Sequence, residues 1–113
     1  MVFNAVIHNT DDHLKNFWMT CTCDEGWRLS PAFDLVPDIG QRGEHVLFFD
    51  LEPVYPGRSN LELMGRSWGI SGAVEIFEQV ISAVAGWRDE YKACGVTQED
   101  IQRFSEIDEH LNR

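Results

Sequence analysis

The chain has 113 residues and a mass of 13.0 kDa, with nine Lys and Arg against nineteen Asp and Glu and a formal net charge of −10. That length fits one domain over residues 1–113 with a modest core, and 43% hydrophobic with 12% aromatic content fits a folded rather than a disordered chain. A pI near 4.6 excludes a general nucleic-acid binder, which needs Lys and Arg to neutralise phosphates, and disfavours an anionic membrane surface as partner.

In chain order, Val2, Phe3, Val6 and Ile7 lie on one face of a helix over Met1–His8 that has no N-cap and begins as if in mid-helix. Asn9-Thr10-Asp11-Asp12-His13 breaks the period with turn formers. Phe17–Thr22 and Trp27–Ser30 are β-prone runs joined through Asp24-Glu25-Gly26, which predicts a hairpin that Pro31 ends. From Pro31 to Ser59 the chain is loop-rich and holds all four prolines, with a brief strand expected over Val46–Leu51. A long irregular stretch in a small domain is usually functional or mobile.

The rest reads as helix. A short one is expected over Asn60–Trp68, stopped at Gly69. A long one is expected from a Ser71 cap to Cys94, with Ala73, Phe77, Val80, Val84, Trp87 and Tyr91 on one face and Gly95 at its end. Thr97 caps the last, whose stripe is Ile101, Phe104, Ile107 and Leu111. The fold class expected is α+β, mainly helical, with a small hairpin. Trp18, Trp27, Trp68 and Trp87 are dispersed and read as packing anchors.

Three cysteines, Cys21, Cys23 and Cys94, are too few and odd in number for a disulfide framework, so reduced thiols in a cytoplasm are expected. The CxC pair lacks the usual zinc spacer and a matching second pair. No apolar run reaches the roughly 18 residues of a membrane span, and no basic-then-apolar leader is present. His8 with Asp11 and Asp12 has helical i, i+3, i+4 spacing for a transition metal, but the turn formers stop the helix before Asp11.

The densest polar cluster is Asn9–Asn16. A hairpin brings its ends together, so Asp34 is expected to return close to Asn16. Two carboxylates, an amide and the Lys15 ammonium would then face one spot. Oxygen ligands of that kind suit Mg²⁺, and phosphoryl transfer uses such a set: a carboxylate for the attacking hydroxyl, an Asn and an Asp for metal, a cation for phosphate. The plain alternative makes Asn9, Asp11 and Asp12 turn formers and Asp34 a loop residue.

Thr10-Asp11-Asp12-His13-Leu14-Lys15-Asn16 followed by Leu29-Ser30-Pro31-Ala32-Phe33-Asp34-Leu35-Val36-Pro37 resembles the C-terminal region of HipA-like serine/threonine kinases, the toxins of bacterial toxin–antitoxin pairs. The resemblance is clearest over Met1–Pro37 and continues weakly to Arg113. It implies a fragment of a protein-kinase-like C-lobe. It implies Asp11 as catalytic base, Asn16 and Asp34 as Mg²⁺ ligands, and Lys15 in the catalytic loop near the γ-phosphate. Asp12 stands where many relatives have Gly and would add a charge beside the base. His13 matches the family's His as a packed, hydrogen-bonded loop anchor.

The nine glycines form no phosphate-covering loop, and Lys15 and Lys92 are the only lysines. The resemblance therefore implies that ATP binds only with a complementing N-lobe and that the chain alone is inactive. A split-kinase half and a non-catalytic module binding an antitoxin are the alternatives. The helix at residues 2–7 would lose its packing partners in such a fragment, so a homo-oligomer through Val2, Phe3 and Ile7 is expected.

Overall fold

The pattern Val2, Phe3, Val6, Ile7 does build a helix, α1 (Val2–Val6), and α1 lies inside the molecule rather than on it. In the computed structural model, which describes residues 1–40, 43–49 and 53–113, Ala5 and Val6 have no exposed surface and Ile7 is buried, while Val2 and Phe3 pack on the core margin. The expectation that this face is left open is therefore corrected at Val6 and Ile7, while Val2 and Phe3 stay half-buried. The C-terminal helices cover it: α1 packs against α3 (Ala73–Val84) and α6 (Glu106–Asn112).

The end of α1 directs the chain into the loop at residues 9–13. Ile7 is the C-cap, the His8 amide donates to the Ala5 carbonyl at 3.3 Å, and the Asn9 amide donates to the Asn4 carbonyl at 2.8 Å. Those two bonds are the Schellman arrangement, which needs a left-handed residue at the first position beyond the cap. Glycine usually stands there, but this chain has His8 at φ 59°.

A 3-10 turn at Leu14–Asn16 leads into an antiparallel hairpin, β1 (Met19–Thr22) and β2 (Gly26–Leu29), in the register Met19↔Leu29 to Thr22↔Gly26. The left-handed Gly26, at φ 69°, closes its three-residue loop. Both faces of the ribbon meet solvent: Trp27 is 73% and Trp18 63% exposed, and Trp68, after α2, is 56% exposed. Of the four tryptophans only Trp87 is buried, so three are not packing anchors. A two-stranded ribbon has no second layer here to shelter its side chains.

Among the described residues no helix or regular strand lies between Leu29 and Arg58. Of the strand expected over 46–51, the described part ends in a single bridge at Phe49, and residues 50–51 lie outside the described set. The segment still contributes to the core through Phe49 and Tyr55.

Helix α2 (Arg58–Ser67) ends, as expected, before a left-handed Gly69. The long helix expected from Ser71 is two helices. Helix α3 starts after Gly72, which is left-handed at φ 74°, with no side-chain cap from Ser71. It stops at Ala85, and α4 (Trp87–Ala93) begins after Gly86. Glycine is about 1 kcal/mol worse than Ala inside a helix, and here the break lets Phe77, Val84 and Trp87 all reach the core. The last helix is also divided, into α5 (Gln98–Gln102) and α6. Between them Phe104 and Ser105 donate to the carbonyls three residues back, a tighter turn that keeps Ile101 and Ile107 buried together. Thr97 caps α5, its hydroxyl oxygen accepting from the Asp100 amide at 3.1 Å. Trp87 Nε1 and the Arg88 guanidinium both donate to the Asp108 carboxylate, joining α4 to α6. No described helix is long and apolar enough to cross a membrane.

Helices α2 and α3 meet at Gly65, where a β-carbon would stand 2.9 Å from the Ala73 β-carbon, whereas one at Gly86 would meet nothing within 4 Å. Gly65→Val is expected to lower stability by about 1–3 kcal/mol, and Gly86→Ala to leave it unchanged or raise it by up to about 1 kcal/mol. Urea unfolding of both variants checks the pair.

Candidate active site

The segment after α1 is pinned from inside. Thr10 and Asp12 have no exposed surface, and Asn9 is buried. The Val46 amide donates to the Thr10 carbonyl at 3.0 Å, and the Thr10 hydroxyl donates to Asp38 Oδ2 at 2.6 Å. The Asp12 carboxylate accepts from the Leu47 amide at 3.0 Å and from His45 Nδ1 at 3.2 Å. Burial pushes the His45 imidazole below its usual range, against the pull of Asp12, so it is a neutral donor at pH 7.

This overturns one expectation. The Asp12 carboxylate does not join Asp11 at the surface; it points into the protein and ties the 45–47 segment to the loop. Successive residues of an extended segment face opposite sides, so an inward Asp12 leaves Asp11 outward. Asp11 is exposed.

Asn16 collects the outer residues. Its Nδ2 donates to the Asp11 carbonyl at 3.2 Å and to Asp34 Oδ2 at 3.0 Å. The hairpin between Asn16 and Asp34 thus returns the chain to its start. Asp34 is at φ 56°, a left-handed conformation that Asp tolerates better than most residues, and its carbonyl accepts from Asn9 Nδ2 at 3.0 Å. The Asp38 amide also donates to the His8 carbonyl, at 2.8 Å. The 34–38 segment therefore runs beside 8–11, and a groove of about 330 Å³ opens between them, lined by Asn9, Asp11, Asp34 and Asp38 among others.

Lys15 is exposed on the 3-10 turn, where its carbonyl accepts from Trp18 Nε1 at 2.6 Å. His13 is half-buried, and its Nδ1 is buried without a hydrogen-bond partner among the described residues, so it packs the loop without the expected bond. His8 is turned away from Asp11 and Asp12 into a different cluster.

The structure thus brings Asp11, Asn16 and Asp34 to one place, with Lys15 on the adjoining turn, and separates Asp12 from them. The supporting residues Asn4, Asn9, Asp38 and His45 carry no sequence signal beyond being polar. Only the burial of Asn9 and Thr10, read as turn formers, reveals their part.

A mainly helical α+β domain whose hairpin joins an Asp/Asn loop to a second Asp loop defines the class. A family model for the HipA-like C-terminal domain matches residues 1–104, and the chain belongs to that family. Comparison with curated proteins and with solved structures gives no match.

Removing the buried carboxylate and the surface one should have unequal effects. Asp12→Ala strands the Leu47 amide and His45 Nδ1 and is expected to cost about 2–4 kcal/mol. Asp34→Asn keeps an acceptor for Asn16, tolerates the left-handed backbone, and should change stability by less than about 1 kcal/mol in metal-free buffer. Chemical denaturation of the two variants measures the contrast; a larger loss at Asp34 would make it a structural anchor.

Proposed function

We propose that this chain is the part of a HipA-like serine/threonine kinase that handles the transferred phosphate. The observation that carries this reading is the Asn16 side chain, which joins the Asp11 backbone to the Asp34 carboxylate across the hairpin. The Asp34 carboxylate, eighteen residues on, is thereby held to the loop that carries Asp11.

Asp11 is the base. It accepts the proton of a substrate Ser or Thr hydroxyl as that oxygen bonds to the γ-phosphorus of ATP and the bond to the β-phosphate oxygen breaks, releasing ADP. Asn16 Oδ1 and the Asp34 carboxylate are hard oxygen donors of the kind Mg²⁺ takes alongside nucleotide phosphates. Bound there, the ion supplies neutralisation of phosphate charge. For Asn16 to offer Oδ1, its amide turns over within the same loop. Lys15, exposed on the same turn, faces the transferred phosphate.

Nothing in the 113 residues supplies the glycine-rich cover or a second lysine beside the site, because Lys92 lies in α4. ATP affinity must come from an N-lobe, in the same chain or another. Leu14, Trp18, Trp27 and Leu29 are all at least 60% exposed next to the site, which supports docking of that lobe on the hairpin rather than a homo-oligomer through the buried α1. An antitoxin on the same surface would give a non-catalytic binding module.

Without an N-lobe the chain is expected to bind Mg²⁺-ATP no tighter than about millimolar, since few contacts offset the freedom lost on binding. Mixed with a cognate N-lobe it should turn over ATP, and Asp11→Asn should reduce that rate by at least about a hundredfold. Low-micromolar calorimetric binding by the isolated chain, or full activity of the Asp11 variant, contradicts the reading.

A further inference from the structure

Behind the active-site loop three imidazoles are buried together: His8 and His110 are each 5% exposed and His45 3%. Both ring nitrogens of His8 are buried with no hydrogen-bond partner among the described residues. A stranded buried polar group costs on the order of 1–3 kcal/mol, so native interiors rarely keep one. His8 bears a second cost, because it occupies the left-handed position after α1 that glycine fills most easily. A residue that is strained in backbone and unsatisfied in side chain calls for a compensating ligand.

His8 Nε2 lies 3.6 Å from Glu106 Oε2, too long for a hydrogen bond. Its ring centre is 5.3 Å from that of His110. The ligand atoms of His8, Glu106 and His110 all lie within 4.8 Å of one another. A tetrahedral ion with bonds near 2.1 Å would hold ligand atoms about 3.4 Å apart and two imidazole centres about 5 Å apart. The His8–Glu106 and His8–His110 separations already approach those values, and the exposed Glu106 side chain has room to close the rest.

His110 is prepared in the manner of a metal ligand. Its Nδ1–H donates to the Val6 carbonyl at 3.2 Å, which fixes the tautomer that leaves the lone pair on Nε2. Tyr55 stacks on the ring at 4.1 Å and its hydroxyl donates to the His110 carbonyl. Burial lowers the His110 pKa to about 4, so the ring is neutral at pH 7. His45 stands next to the cluster, 6.1 Å from His8 between ring centres, with Nδ1 held by Asp12 and Nε2 buried without a partner among the described residues.

We propose that His8, Glu106 and His110 bind a divalent transition metal of the Zn²⁺ class, with water or His45 Nε2 completing the sphere. Imidazole selects such ions over Mg²⁺, so this site does not compete with the oxygen ligands of Asn16 and Asp34. The ion joins the residue immediately before Asn9-Thr10-Asp11 to helix α6 and so fixes the 9–13 loop on its scaffold. Glu106 and His110 lie beyond the residues that the family model matches. The proposal stands independently of the kinase reading.

The test is Zn²⁺ titration by calorimetry, with thermal unfolding in parallel, on the full chain carrying Cys21→Ser, Cys23→Ser and Cys94→Ser to remove competing thiols. One equivalent should bind with a Kd of about a micromolar or tighter, and raise Tm in a way that EDTA reverses. Glu106→Gln, at an exposed position, should weaken binding at least about tenfold. His8→Asn, which keeps a side chain tolerant of the left-handed turn, should abolish saturation. No saturable binding below about 100 μM, or an affinity in both variants equal to that of the chain without them, overturns the proposal. Where circular dichroism shows that His8→Asn has lost its fold, the affinity of Glu106→Gln decides alone.

Discussion

The carboxylate of Asp12, with no exposed surface, accepts from the Leu47 amide and from a neutral His45, and the orientation of the residues around it depends on that burial. A buried carboxylate without donors is among the most costly groups in a protein interior, so the 45–47 segment cannot leave it. With Asp12 held inward, Asp11 must face outward. Thr10, one residue earlier, is held inward too, between the Val46 amide and Asp38. The loop is thereby fixed on both sides of Asp11, and the exposed carboxylate is presented from a rigid base although it lies outside any helix or strand.

The site's other half depends on the hairpin. The ribbon buries almost nothing, and Trp18 and Trp27 lie open on it. Its contribution is to return the chain so that Asp34 meets Asn16 and the Asp34 carbonyl meets Asn9. The apolar surface it leaves open is where another lobe or protein would find burial of its own, at roughly 25 cal/mol per Å² of apolar area. The large negative charge of the chain would select a partner whose facing surface is basic or neutral.

Local chemistry made much of this legible. Asp24-Glu25-Gly26 marked the hairpin turn, Thr97 and Gly95 marked helix ends, and the apolar stripes marked the buried faces of α3–α6. The spacing of Asp11, Asn16 and Asp34 around a hairpin also foretold their meeting. What could not be read were long-range choices. Nothing local tells Asp12 from Asp11; the difference is made by His45 and Leu47, more than thirty residues away. Helix breaks at Gly86 and around Phe104 come from tertiary packing, which overrides a continuous stripe. The covering of α1 by α3 and α6 was hidden for the same reason. The local i, i+3, i+4 spacing paired His8 with Asp11 and Asp12, and nothing local showed that it faces Glu106 and His110, about a hundred residues away.

The proposal at the centre of this account is that Asn16 and Asp34 form an oxygen-ligand site for Mg²⁺ beside Asp11. Nuclear magnetic resonance of the ¹⁵N-labelled chain during a Mg²⁺ titration, at constant ionic strength, tests it most directly. The Asn16 side-chain amide and the backbone amides flanking Asp34 are expected to shift together along one saturating curve, and Asp34→Asn to remove the shifts. Shifts spread evenly over the acidic surface, with Asn16 and Asp34 unaffected, would contradict it.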